Sequence, residues 1–262
     1  MQIRNLENNS RRIIKKLGYF SVLEYQKDLS VNSGNSIQQY YMSEMGVRRR
    51  QLVIGMSGKN TAVIQAGAMQ WTAGNVVATT GLKGVGDLFG KAIRGAVTKE
   101  SAVKPEYKGQ GVLVLEPTYK HIILIDVEQW GSGVTLEDGM FYACDGTVRQ
   151  NLVSRRNISS ATFGNEGLFN LSLSGHGIAA LESNVPEEEL ITIELNNDEI
   201  RIDGDMAVCW SSNLQFTVEM STRSIVGSAV SGEGLVNVYR GTGRVIMSPV
   251  ARTESWSAAT NK

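Results

Sequence analysis

The sequence predicts an all-β protein made of repeated units, and three observations carry that expectation. Short apolar or alternating runs recur along the 262 residues, separated by Gly and Asn/Asp signals, the pattern of a sandwich or barrel. Glycine is abundant (28) and proline scarce (4), which suits many tight turns. Finally, Glu166-Gly167-Leu168-Phe169-Asn170-Leu171 returns as Glu233-Gly234-Leu235-Val236-Asn237-Val238, with only apolar swaps between them.

Taken in chain order, residues 1–18 read as an N-terminal extension. Arg11-Arg12 and Lys15-Lys16 flank only Ile13 and Ile14, so this stretch is expected to pack poorly, and a start codon downstream of Met1 fits that reading. Ser36–Met42 reads as a short helix or turn, and Arg48-Arg49-Arg50 leads into the first body strand. Val112–Leu115 and Ile122–Ile125 are apolar runs of sheet-core type. Leu190–Leu195 and Leu214–Glu219 alternate cleanly, and Asn196-Asn197-Asp198 is a tight-turn candidate. Phe169, Leu171, Val236 and Val238 are expected in the core, with Asn170 and Asn237 in matching places.

A second repeated element sets the units. Asp138-Gly139-Met140 resembles Asp203-Gly204-Asp205-Met206, and Ala66-Gly67-Ala68-Met69 fits the same place. Gly67, Gly139 and Gly204 lie 72 and 65 residues apart. Gln110-Gly111-Val112 aligns as a weaker partner of Gly167 and Gly234. Three repeats follow, at about 50–128, 129–195 and 196–250, within a β domain 19–250 and before a tail 251–262. On this alignment the first repeat carries an insertion of about 16 residues, placed at 81–101. There Val85, Leu88, Phe89, Ile93 and Val97 follow the spacing of one helical face, accompanied by Lys91 and Arg94. Gly86, Gly90 and Gly95 weaken such a helix, so it needs a surface: the protein's own sheet, a second copy, or an anionic membrane.

Gln65-Ala66-Gly67-Ala68-Met69, then Gly74-Asn75-Val76, then Gly234 to Gly243 together resemble a widespread prokaryotic family of uncharacterised β-proteins. That family is related to the mitochondrial proteins named for altered inheritance rate of mitochondria. The resemblance covers roughly residues 20–250. It implies a fold similar to tryptophan RNA-binding attenuation protein, a short double-stranded β-helix, occurring as three units with pseudo-threefold symmetry. It implies no activity and transfers no tryptophan or RNA site.

The chemistry-bearing residues are sparse. Lys+Arg and Asp+Glu both number 26, so bulk charge does not recruit duplex DNA or an anionic surface. Cys144 and Cys209 sit in apolar contexts five residues after a repeat glycine. They read as equivalent buried thiols, unbonded to each other, in a reducing compartment. His176 reads as an ordinary turn histidine; His121 is the other histidine. No metal-ligand motif or nucleotide loop is present, and neither metal nor cofactor is expected. Glu187-Glu188-Glu189, Arg48–Arg50 and Arg155-Arg156 read as solvated faces or edge protection. The expected function is a non-enzymatic structural or interaction module, self-associating or binding another protein. Membrane-surface association through 84–98 and RNA binding by fold analogy are the alternatives, with nucleic acid disfavoured. No apolar window is long enough for a transmembrane helix and no signal-peptide core is present, so a cytoplasmic location is expected.

Overall fold

Alternating and wholly apolar runs can bury a face only by pairing side by side, and here they make two antiparallel sheets. The computed structural model describes residues 2–79, 104–154, 169–220 and 235–250. The expected insertion 81–101, Arg155-Arg156, residues 166–168 and 233–234 of the repeated motif, and the tail lie outside the described residues.

The N-terminal part holds β1 (Arg11–Leu17), β2 (Phe20–Tyr25) and helix α1 (Ser36–Glu44). Then come β3 (Arg50–Ile64), β4 (Met69–Thr79) and β5 (Glu106–Leu115). Next come β6 (His121–Asp126), β7 (Val134–Leu136), β8 (Phe141–Asp145), β9 (Arg149–Ser154), β10 (Phe169–Ser174) and β11 (Ile178–Ser183). The last group is β12 (Ile191–Asp203), β13 (Ala207–Ser211), β14 (Gln215–Met220) and β15 (Leu235–Met247). One sheet runs β1-β2-β3-β8-β11-β6, with β5 joined to β3 and β4; the other runs β12-β15-β13-β7-β10-β9, with β14 joined to β15.

The N-terminus differs from expectation. β1 pairs with β2 from Arg11↔Tyr25 to Leu17↔Phe20, and Ile13 and Leu17 pack against buried clusters. Alternate residues of β1 face inward, Ile13 and Leu17 among them, while Ile14 is exposed, so these two apolar residues suffice for an edge strand covered on one face only. Asn196-Asn197 also departs from the expected turn. β12 continues through it with a register shift between Leu195 and Asp198, and Asn197 takes φ 53°. One residue in the left-handed region makes a bulge, not a reversal.

The hairpins share one register. Met69↔Leu115, Phe141↔Leu181 and Ala207↔Met247 pair, and each is followed by a bulge before Trp71↔Val114, Ala143↔Ala180 and Cys209↔Ile246. The hairpin ends match too: Glu116, Glu182 and Ser248 donate their backbone N–H to the carbonyls of Ala68, Met140 and Met206 at 2.7, 2.8 and 2.8 Å.

This register corrects the sequence alignment in four places. Ala68 to Glu116 spans 48 positions, but Met140 to Glu182 and Met206 to Ser248 span 42 each, so the first hairpin is longer by about six residues, not 16. Gly109-Gln110-Gly111 corresponds to Gly175-His176-Gly177 and Gly241-Thr242-Gly243, so Gly111 is the partner of Gly177 and Gly243 and not of Gly167 and Gly234. Cys209 matches Ala143, not Cys144. Asn170 donates to Leu136 O and Asn237 to Gly204 O, which are unlike places. The last two follow from one-residue slips, and a slip of one turns a side chain to the other face. Leu171, Val236 and Val238 are buried as expected, while the side chain of Phe169 is not described. Gly109 and Gly111 show why side chains are missing there: a Cβ would sit 1.8 Å from Asn75 O and 1.9 Å from Ala73 O.

Candidate functional site

None of the expected contact residues Val85, Leu88, Phe89, Lys91, Ile93, Arg94 and Val97 falls among the described residues. The sites the structure does show are a polar corner near the N-terminus, a scattering of titratable groups, and the strand edges between units.

The polar corner is built on Glu24, which β2–β3 register places opposite Arg50. The Arg50 guanidinium meets Glu24 Oε2 through Nε at 2.9 Å and Nη2 at 2.8 Å. Arg48 reaches Glu24 Oε1 at 3.2 Å and Gln26 at 2.8 Å. Arg49 donates to the Tyr119 hydroxyl at 2.9 Å and pairs with Asp28 at 3.0 Å. A shallow cleft between these residues and α1 is lined by Tyr25, Asp28, Gln39, Ser43, Arg48 and Tyr119. The arginine run, expected as a solvated face, is therefore an ion-pair network whose innermost member, Arg50, is 5% exposed. Sequence reasoning missed it because Glu24 lies 26 positions away. Its charged groups pair chiefly with one another, although Arg48 Nε is left without a partner, so the corner acts as a structural clamp.

The isolated titratable groups do not converge. His121 is held well below its usual range, to about 4, by burial and by the Arg50 charge. His176 sits exposed on the Gly-His-Gly loop, its Nδ1 3.0 Å from Glu128. Cys144 and Cys209 are free and buried; burial raises both thiols, Cys209 to about 12. A thiol so raised is a poor nucleophile at neutral pH. Glu187 pairs with Lys15 of β1. On the outer face of β12, β14 and β15, Arg240 bridges Glu219 at 2.6 Å and Glu199 at 2.7 Å. These hydrogen bonds hold Glu219 down to about 2.

The strand edges form the most organised feature. β3 pairs with β8 as Ala62↔Asp145, Val63↔Cys144 and Ile64↔Ala143. β7 pairs with β13 as Val134↔Ser211, Thr135↔Trp210 and Leu136↔Cys209. The bulges free two carbonyls, and the residues just after β3 and β7 use them. Gln65 N–H donates to Tyr142 O at 2.8 Å, and Glu137 N–H donates to Val208 O at 3.0 Å. Gly146 N–H to Thr61 O and Ser212 N–H to Gly133 O, both 2.9 Å, close the other end. Two junctions are thus made by the same strand positions in the same register.

The family model for mitochondrial biogenesis AIM24 matches residues 45–250. The chain belongs to the AIM24 family. An uncharacterised protein of Streptococcus pyogenes serotype M6 is 29% identical over 200 residues, covering 73% of this chain and 78% of its own length. A crystal structure of a Streptococcus pyogenes protein superposes with a TM-score of 0.59 at 25% identity, covering 81% of this chain and 93% of that one. The AIM24 match begins just before β3 and ends just after β15, so it contains both junctions, whereas β1, β2 and α1 precede it. Among the described residues of this AIM24 protein, no helix is long and apolar enough to cross a membrane.

Proposed function

We propose that this AIM24 protein is a non-enzymatic interaction module that works as an assembly of copies. On this reading its body is three tandem units, about 50–116, 121–183 and 191–248, similar to the tryptophan RNA-binding attenuation protein-like fold. The observation that carries it is the junction made twice in one register, β3 to β8 and β7 to β13. A unit that joins its neighbour edge to edge is a repeat-protein device, in which each unit buries a face only by stacking. The titratable groups described above are spread over separate elements and do not form the nucleophile–base pair that covalent catalysis needs. Two free buried thiols suit a reducing cytoplasm.

The test is sedimentation velocity of the full chain over about a hundredfold range of concentration. The expected result is a species larger than one chain whose population grows with concentration. A one-chain species throughout would sink the assembly reading.

A further inference from the structure

We propose that the outer edge of β4 in one copy pairs antiparallel with the outer edge of β12 in a second copy, forming the third instance of the junction already made twice within the chain. The proposal rests on the assembly reading above and specifies its interface.

Register fixes the partners. Ala62–Ile64 and Val134–Leu136 each take an incoming strand, Asp145–Ala143 and Ser211–Cys209 respectively. The matching positions in the last unit are Ile200–Ile202, and the matching incoming strand in the first is Ala73–Trp71. Among the described residues, β12 pairs only with β15 and β4 only with β5. Ile200 would then face Ala73, Arg201 face Thr72 and Ile202 face Trp71. Asp203 N–H and Gln70 O are the counterparts of the donor and acceptor joined at Gln65–Tyr142 and Glu137–Val208.

Exposure and packing agree. Met69 is 40% exposed, although its register counterparts Phe141 and Ala207, which lie inside junctions, are 1% and 0% exposed. The first buried cluster takes Tyr142 and Ala143 from the second unit, and the second cluster takes Val208 and Cys209 from the third. Among the described residues, the third cluster, around Ile202, Trp210 and Tyr239, contains only residues of the last unit, with no strand in the place that completes the other two. β4 also carries no charged residue and no proline along Met69–Thr79. Natural edge strands that stay unpaired are blunted by such residues, so this one is built to be paired.

A β4-to-β12 contact is head-to-tail, so it propagates until a ring closes or a filament forms. Pseudo-threefold closure inside a single chain would use the same two edges, and the experiment separates the two. Thr72→Cys and Arg201→Cys are made as separate variants and as a double variant of the full chain; Cys144 and Cys209 are buried and do not compete. Far-ultraviolet circular dichroism and the melting temperature are measured first, to check that each variant folds as wild type does. Mild oxidation of the mixed single variants is expected to give a disulfide-linked dimer joining position 72 to position 201, located by peptide mass spectrometry, and several-fold more abundant than either same-site dimer. The double variant is expected to give a ladder of linked chains. A disulfide inside one chain of the double variant would overturn the proposal in favour of internal closure. Sedimentation that shows an assembly, with no 72–201 link in the mixture, would overturn this interface and leave the assembly reading standing. A single-chain species at every concentration would overturn both.

Discussion

Replacing Glu24 by Gln should be among the most destabilising single changes outside the apolar core. Glu24 and Arg50 are 7% and 5% exposed, so neither charge is well hydrated. The carboxylate accepts two hydrogen bonds from Arg50, at 2.9 and 2.8 Å, and further bonds from Arg48 and Gln26. In the Gln variant Arg50 keeps at most one neutral amide oxygen in place of the carboxylate, besides the carbonyls of Arg48 at 3.2 Å and Tyr119 at 3.5 Å, the last too long to count for much. Removing one partner of a buried pair strands the other charge and costs about 3–5 kcal/mol. At roughly 2–4 °C per kcal/mol for a chain of this size, the melting temperature should fall by roughly 6–20 °C. Urea unfolding followed by tryptophan fluorescence gives the free energy directly. The cycle should include Arg50→Met and the double variant Glu24→Leu/Arg50→Met, because an apolar replacement of both partners removes the stranded charge. The double variant is expected to be more stable than Glu24→Gln alone. Arg48→Ala, at the partly exposed rim of the same corner, should cost under about 1 kcal/mol. A loss below about 0.5 kcal/mol for Glu24→Gln would refute the claim that this pair is desolvated.

Other expectations are as direct. His121 has its folded-state value lowered to about 4, so the unfolded chain binds a proton that the folded chain refuses; stability is full above about pH 6.5 and falls between there and pH 4. A His121→Asn variant should lose part of that acid sensitivity, read as a smaller difference in urea midpoint between pH 7 and pH 4.5. Glu219 has the opposite sign: held down to about 2, its contribution is present above about pH 4.3 and lost as pH falls towards 2. Cys144 and Cys209 should react with a thiol reagent only after denaturant is added, and fast labelling of either in the native protein would contradict their burial. Gly111→Ala should cost about 3 kcal/mol or more, since its Cβ would lie 1.9 Å from Ala73 O, whereas Gly67→Ala meets nothing and costs about 1–2 kcal/mol for its φ of +78° alone; equal losses would refute the close approach of β4 and β5. Leu173→Ala, fully buried in the second cluster, should cost about 2–5 kcal/mol by chemical denaturation.

Much of the fold was legible because it is written in local pattern. Val112–Leu115 and Ile122–Ile125 lie within β5 and β6, and Ser36–Met42 lies within α1. Burial of Leu171, Val236 and Val238 followed from alternation alone. What local pattern does not carry is pairing between distant strands. Arg50 looked solvated because its carboxylate partner sits across a sheet. β1 looked detached because half of an edge strand is meant to be polar.

The likeness between the hairpins shows the same limit more sharply. Sequence likeness set Glu166–Leu171 against Glu233–Val238 and Cys144 against Cys209, both one residue away from the hydrogen-bonded register. A strand is indifferent to a one-residue shift when only apolar and small residues are compared, but its faces are not. Leu173 and Tyr239, which look nothing alike, fall at the same hairpin register, and each is fully buried in a different cluster. What the units hold in common is the bulge that releases the carbonyls of Tyr142 and Val208 and the donors at Gln65 and Glu137 that take them. These are backbone groups, and almost any side chain can supply them. That is why the junction left so faint a trace in the sequence. It is also why a pairing of the outer edges of β4 and β12, each joined to one strand among the described residues, is better sought by crosslinking than by comparing residues.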